Sequence, residues 1–556
     1  NLAKSQPLAE GEQATSSSDR LFCCPWLRRR VPMAYRDELY HILKMTVPVL
    51  ITRILGYLPS FVNTMFCGRL GNNVMAGYGL ACATINITTT STGFGLAVAC
   101  DTLVSQTFGG KNLLRVGVIL QRSILILLLF CLPCWALLIN AQAVLLCLGQ
   151  DPEVARIAQM YMTAFIPAVP AMFLQQLQVS YLQNQIIILP QLFTAVAANI
   201  VNAVTNYILV FWLELGISGS AAANTMSHFY SCGFLFIYIW WKKLHAKTWG
   251  GWSMESLQEW GSYMKLAIAS TVMKCAEWWV YEFGGFFAGM LSENDLAAQH
   301  GVIMIGFITY MFPVGIQAAT CARVGNALGA GNTSRARITV KVSYGLAVQG
   351  TVLGCIKHVI GYIFTNDEEI VSLISHLMSA YCFLQLFDAI VCVSSGIFVG
   401  TGRQKVAAVA NIIGYYGIGL SVGLVLTFVA KLQTLGFWLG LLICVCLQST
   451  FFVIVIIFKL NWKTMTDETV DGYKATYLGG DEAVKPNEHQ GGGVLSPCQL
   501  LLRRGLVVLG AVAILAIGVS VRFLVPLPES QSSLINSTLN WVNTTDPSTM
   551  LFPIQQ

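Results

Sequence analysis

Thirteen apolar runs punctuate this chain, and each, at about 20 to 30 residues, is long enough to cross a hydrocarbon core of about 30 Å as a helix. They lie near 39–66, 73–100, 116–140, 156–180, 189–212, 218–241, 261–290, 296–320, 338–365, 371–400, 406–430, 436–458 and 505–525. Inside lipid the backbone must satisfy its own hydrogen bonds, and runs of this length do so as helices. The expected fold is therefore an all-α polytopic membrane protein. Composition agrees: 55% of residues are hydrophobic and 11% charged, against roughly 25% charged in an ordinary soluble domain. Disordered, collagen-like and disulfide-scaffold classes are excluded on the same ground.

The formal charge of +6 comes from short basic clusters beside apolar runs, not from a basic stripe that would meet nucleic acid. With the N-terminus inside, Arg28-Arg29-Arg30, Lys111, Arg115, Lys242-Lys243, Arg335, Arg337, Arg403, Lys405 and Arg503-Arg504 all fall on the cytoplasmic side. Only Arg69, Arg156, Lys357 and Lys431 fall outside. That asymmetry sets the orientation. An odd number of spans then places the C-terminal tail outside, where Asn536 and Asn543 each begin a glycosylation sequon. No secretory leader is visible in residues 1–20, so the first span is expected to act as its own insertion signal.

Most cysteines lie within apolar runs and read as small buried hydrophobes. Cys131-Leu-Pro-Cys134 has the spacing of a redox or zinc motif but no partner pair, so it reads as structural. Cys23-Cys24, beside the basic cluster, has the setting of a palmitoylated pair.

The chain also repeats itself. Gly95, Ala99, Val104, Gly109, Asn112 and Arg115 recur as Gly315, Ala319, Val324, Gly329, Asn332 and Arg335, at a constant offset of 220 without a gap. Ala198-Asn199-Ile200 recurs as Ala410-Asn411-Ile412. Six spans separate the copies, so both halves enter the membrane in the same sense and are related by a pseudo-two-fold axis along the membrane normal. The expected organisation is a cytoplasmic segment 1–38, an N-lobe of spans 1–6 over 39–241, a cytoplasmic linker 242–260 and a C-lobe of spans 7–12 over 261–458. A flexible cytoplasmic linker 459–502, a thirteenth span 503–525 and an extracellular tail 526–556 follow.

Three motifs carry a resemblance. The loop Asp101-Thr-Leu-Val-Ser-Gln106-Thr-Phe-Gly109, the loop Arg323-Val-Gly-Asn326-Ala-Leu-Gly329-Ala-Gly331-Asn332, and Glu277-Trp278-Trp279, set in six-plus-six spans, resemble the multidrug and toxic compound extrusion (MATE) family. The thirteenth span and the polar loop before it resemble its vertebrate branch. The resemblance implies a proton-coupled exporter of small organic cations whose two lobes open in a V, in an epithelial plasma membrane. It also implies that Glu277 is the essential carboxylate and that Asp388, in Leu386-Phe387-Asp388, fills the acidic position of the tenth span.

The residues point the same way. A charge at the bilayer centre costs roughly 2.5 to 3.5 kcal/mol on insertion scales, so Arg53, Lys274, Glu277, Glu282 and Asp388 must face protein or water. Two facing carboxylates, Glu277 and Asp388, can hold a proton or a cation but gain little from holding both, and that competition is an exchange mechanism. Glu282 is about 140° around its helix from Glu277 and is expected to face elsewhere. Trp278, Trp279, Tyr281 and Tyr310 can attract organic ammonium groups through their ring faces, with Tyr281 placed one turn above Glu277.

The sequence departs from the family at three points. Where vertebrate members carry a further Glu in the eighth span, this chain reads Ile303-Met304. Lys274 lies three residues before Glu277, where the family has an apolar residue, and either competes for it or pairs with it outright. Arg53 occupies a position that is usually neutral. One reading keeps cation export intact with local pairing. The other shifts the chain toward zwitterions, anions or lipid-linked precursors with altered proton coupling.

An enzyme is disfavoured because no two histidines lie three or four residues apart and no nucleophile sits with a base. No phosphate-binding Gly-x-x-x-x-Gly-Lys-Ser/Thr run supports ATP drive, and the glycines of the two loops are expected to allow tight turns. Cofactors and metals are not called for. The expected partners are small organic cations, protons and the lipid bilayer, with the protein a monomer; composition does not exclude sodium coupling, and the resemblance favours protons.

Overall fold

The computed structural model describes residues 30–70, 72–347, 368–478 and 496–527, all of whose regular elements are helical, with no strand among the described residues. Helix α1 is Met33–Leu70. Helix α2 runs over 72–109, with a π-helical turn at Asn86–Thr90. Helix α3 is Leu113–Ile139. Helix α4 has two arms, Pro152–Phe165 and Ala168–Asn184, bent by 57° where Pro167 removes a backbone donor. Then come α5 (Leu189–Val210), α6 (Gly216–Trp241), α7 (Trp260–Leu291), α8 (Glu293–Gly329) and α9 (Thr333–Ala347). Helices α10 (Glu368–Thr401), α11 (Gln404–Val429), α12 (Thr434–Lys459) and α13 (Pro497–Leu524) complete the series.

By length and apolarity eight of the described helices can cross a membrane, nine if the arms of α4 count as one. The other helices where spans were expected, α2, α6, α7 and α9, do not pass that measure. Helix α7 carries Lys265, Lys274, Glu277 and Glu282, and for α9 only the 15 residues Thr333–Ala347 are described. Helix Trp462–Leu478 occupies the first part of the polar segment 459–502, with Trp462 and Met465 buried. Cys23-Cys24, Asn536 and Asn543 lie outside the described residues.

The echo at an offset of 220 is a repeated turn. Gly110 N–H donates to Gln106 O, Lys111 N–H to Phe108 O and Asn112 N–H to Thr107 O. The second copy repeats each bond: Ala330 to Asn326, Gly331 to Leu328 and Asn332 to Ala327. Lys111 and Gly331 both have positive φ, 60° and 75°, a conformation that glycine adopts freely and that lysine reaches at a cost. Asn112 then accepts from Arg115 N–H and Asn332 from Arg335 N–H, so each asparagine caps the next helix. These four positions are why the motif recurs.

The helices form two hydrophobic cores. One gathers residues from Tyr78 to Ala267, the other residues from Met273 to Met465 together with Ile42, Met45, Val49 and Ile188. The start of α1 thus packs in the second core, and the start of α7, through Trp260, Tyr263 and Ala267, in the first. The exchange is reciprocal. Gly315 of α8 approaches Thr46 of α1, while Gly95 of α2, its counterpart in the repeat, approaches Thr271 of α7. Glycine is needed at Gly95 because a Cβ there would lie 2.3 Å from the Thr271 Cα.

Helix α13 lies along α3. Asn140 donates to Gly518 O at 2.8 Å, Arg504 donates to Leu257 O at 2.8 Å, and the Arg504 guanidinium stacks 4.5 Å from the Trp260 ring centroid.

Candidate functional site

Glu277 sits mid-way along α7 and is buried at 4% exposure. Lys274, three residues earlier on the same face of the helix, places its Nζ 3.0 Å from Glu277 Oε2. Tyr310 of α8 donates its hydroxyl to Glu277 Oε1 at 2.6 Å. Each carboxylate oxygen therefore has a partner within the chain, as a buried charge requires.

Asp388, on α10 and also buried, feels the charges of both Glu277 and Lys274. No described side chain donates a hydrogen bond to it. Around it stand Tyr281 of α7, Tyr310 of α8, Tyr381 and Cys392 of α10, Tyr415 of α11 and Cys444 of α12. Trp438 of α12 packs edge-on to Tyr381, with centroids 5.6 Å apart, and 6.4 Å from Tyr281. Asp388 thus lies within electrostatic reach of four phenols, two of them packed on the Trp438 indole, and aromatic faces of this kind attract organic cations.

The residues singled out from sequence are thus divided. Glu277, Lys274, Tyr310 and Asp388 come together, with Tyr281 beside them against Trp438. Tyr310, not Tyr281, touches Glu277. Trp278 turns instead to Phe94 of α2, at 6.0 Å. Glu282 is exposed. Arg53 makes no ion pair with this group, but its charge is felt by Lys274 as well as by Tyr57 and Asp101.

Two buried charges escaped the sequence reading. Asp101 of α2 accepts from Asn184 Nδ2 at 2.7 Å; it was visible only as part of a loop motif. Glu38 was placed in the terminal segment, yet it forms a fork with Arg323 of α8, Arg323 Nη2 donating to Glu38 Oε2 at 2.6 Å. It also accepts from Thr339 at 2.7 Å and lies 3.6 Å from Arg335. Its signal was an acidic residue among many basic ones beside the first apolar run.

At the end of the molecule bearing the repeated turns, the two copies meet each other. A Cβ on Gly109 would lie 2.2 Å from Asn326 O, and one on Gly329 1.9 Å from Gln106 O. Asn326 is the counterpart of Gln106 and Gly329 that of Gly109, so one contact is made twice across the pseudo-two-fold axis. Thr102 donates to Val399 O at 2.7 Å and Gln106 to Gly400 O at 3.0 Å. The two cores are sealed together at this end.

A family model described as MatE matches residues 48–208 and 269–425, the two repeats in turn. The chain belongs to the MatE family. Its relatives in this family include multidrug and toxin extrusion protein 1 of Danio rerio, 51% identical over 82% of this chain and 78% of that protein. The protein of the same name in Homo sapiens is 44% identical over 88% of this chain and 94% of its own length. Among solved MATE structures, the eukaryotic transporter AtDTX14 superposes with a TM-score of 0.75 at 27% identity, covering 79% of this chain and 99% of that one. Membership makes the chain a multi-pass membrane transporter, not an enzyme.

Proposed function

We propose that this MATE protein is a secondary active exporter that exchanges protons for small organic cations by alternating access of its two lobes. The observation that carries the reading is Asp388: a buried carboxylate in the field of Glu277 and within electrostatic reach of four tyrosines, with no hydrogen bond from a described side chain. Such a group binds a proton or an ammonium, each at the expense of the other. The names of the relatives, which speak of drug and toxin extrusion, accord with this.

Helices α1–α6 form the N-lobe and α7–α12 the C-lobe, over the ranges expected from sequence, with the starts of α1 and α7 exchanged between them. The sealed end carries Lys111, Arg115, Arg335 and Arg403 and is the cytoplasmic one, so the conformation described faces outward. The N-terminus is then cytoplasmic, the C-terminal tail extracellular with Asn536 and Asn543 glycosylated, the membrane the plasma membrane and the unit a monomer.

The test is a pH dye trapped in vesicles holding the purified protein. Adding a tetra-alkylammonium outside should drive protons out and raise the internal pH, and Asp388→Asn should abolish the signal. A signal unchanged in the variant would contradict the assignment.

A second reading, transport of zwitterions or anions, is favoured by Arg53, a guanidinium within the membrane-spanning part of α1. In the dye experiment it predicts that a betaine acts and a tetra-alkylammonium does not.

A further inference from the structure

The two carboxylates of the site are not equivalent. Both oxygens of Glu277 are engaged within the chain, Oε2 by Lys274 at 3.0 Å and Oε1 by Tyr310 at 2.6 Å. Asp388 accepts no hydrogen bond from a described side chain. Lys274 is tethered by its own backbone one turn from Glu277, so it is present at effective concentrations that no free monovalent ligand matches. Among the described residues the charged groups acting on Asp388 are Glu277 and Lys274, and Arg53 of α1 acts in turn on Lys274. The other titratable groups facing it from α7, α8, α10, α11 and α12 are the tyrosines Tyr281, Tyr310, Tyr381 and Tyr415 and the thiols Cys392 and Cys444. With Lys274 in place the ionised site carries a net charge of one negative; without it the same site would carry two.

We propose that Lys274 is a built-in counter-cation that withdraws Glu277 from exchange, leaving Asp388 as the single group that carries proton and substrate and confining transport to monocations. Glu277 then acts as a positioning residue: it holds the lysine off Asp388. This inference rests on the exchange reading above and adds to it a division of labour between the carboxylates. It also orders the effects of substitution in a way that two equivalent carboxylates would not.

Glu277→Gln should release Lys274 to pair with Asp388, neutralise the site and cut uptake of a labelled tetra-alkylammonium at least tenfold. Removing the lysine as well, in Lys274→Met with Glu277→Gln, should restore one negative charge and recover at least a third of the uptake of the native chain. Lys274→Met alone should expose two carboxylates, raise the Hill coefficient for protons from about 1 towards 2, and admit a bis-quaternary ammonium that the native chain excludes.

The experiment is pH-driven uptake of mono- and bis-quaternary probes into vesicles holding each full-length variant, with size-exclusion profiles to confirm folding. A double variant as inactive as Glu277→Gln overturns the proposal. So does uptake of the bis-quaternary probe by the native chain, a result that needs no variant to fold. Failure of the exchange reading looks different: the native chain would then show no dependence on the pH gradient for either probe.

Discussion

Lys274 and Glu277 stand three residues apart on α7 with 3.0 Å between ammonium nitrogen and carboxylate oxygen, and Tyr310 completes the clamp from α8. A hydrogen bond to a charged group contributes about 1.5 to 3 kcal/mol. Tyr310→Phe removes that bond and frees the pair to swing towards Asp388. The expected result is a rise in KM for a monocation of about 10-fold, with the maximal rate changed little. Concentration-dependent uptake measures both, and an unchanged KM would count against the clamp.

The reciprocal contacts Gly109 to Asn326 and Gly329 to Gln106 leave no room for a methyl group. Overpacking of this kind costs typically 1 to 3 kcal/mol, so Gly109→Ala and Gly329→Ala should each shift the population away from the sealed end by about 5- to 150-fold. Labelling of Thr102→Cys by a membrane-impermeant thiol reagent, applied from that side, should accelerate in both. Gly79→Ala, where a Cβ meets open space, should leave the labelling rate alone.

Glu38 and Arg323 form a buried pair that ties α1 to α8. Removing one partner of such a pair costs about 3 to 5 kcal/mol because the other charge is left buried and uncompensated. Glu38→Gln should therefore lower the thermal unfolding temperature sharply, and adding Arg323→Leu should recover most of the loss. Equal temperatures for the single and double variants would mean that the pair is not the cause.

The fold was legible in the sequence wherever one segment decides its own structure. Apolar length gave the helices, and Asn112, Gly331 and Asn332 gave the repeated turn, because capping and left-handed backbone are local. The Lys274–Glu277 pair was readable for the same reason, three residues being one helical turn. Contacts between distant segments were not. Tyr310 reaches Glu277 across 33 residues and Arg323 reaches Glu38 across 285, and nothing local marks either one. Asp101 was hidden differently: its charge was attributed to a loop motif, although it accepts from Asn184 within the helical body.

Helix α13 touches the body mainly along α3, with only 6% of its apolar stretch buried. Ending the chain before residue 496 should leave the organic-cation uptake of the purified protein within about 2-fold of the full chain, since α13 supplies no residue near Asp388. A complete loss in a truncated protein that still elutes as a single species would show that α13 supports the transport cycle.

The central claim, exchange of a proton for an organic cation at Asp388, is tested most directly by the direction of transport. Vesicles holding the purified full chain are loaded at acidic pH and diluted into alkaline buffer containing a labelled tetra-alkylammonium, beside vesicles with no gradient and vesicles holding Asp388→Asn. The account predicts accumulation above equilibrium in the first case alone, and efflux when the gradient is reversed. Accumulation that ignores the gradient, or that persists in Asp388→Asn, would contradict it.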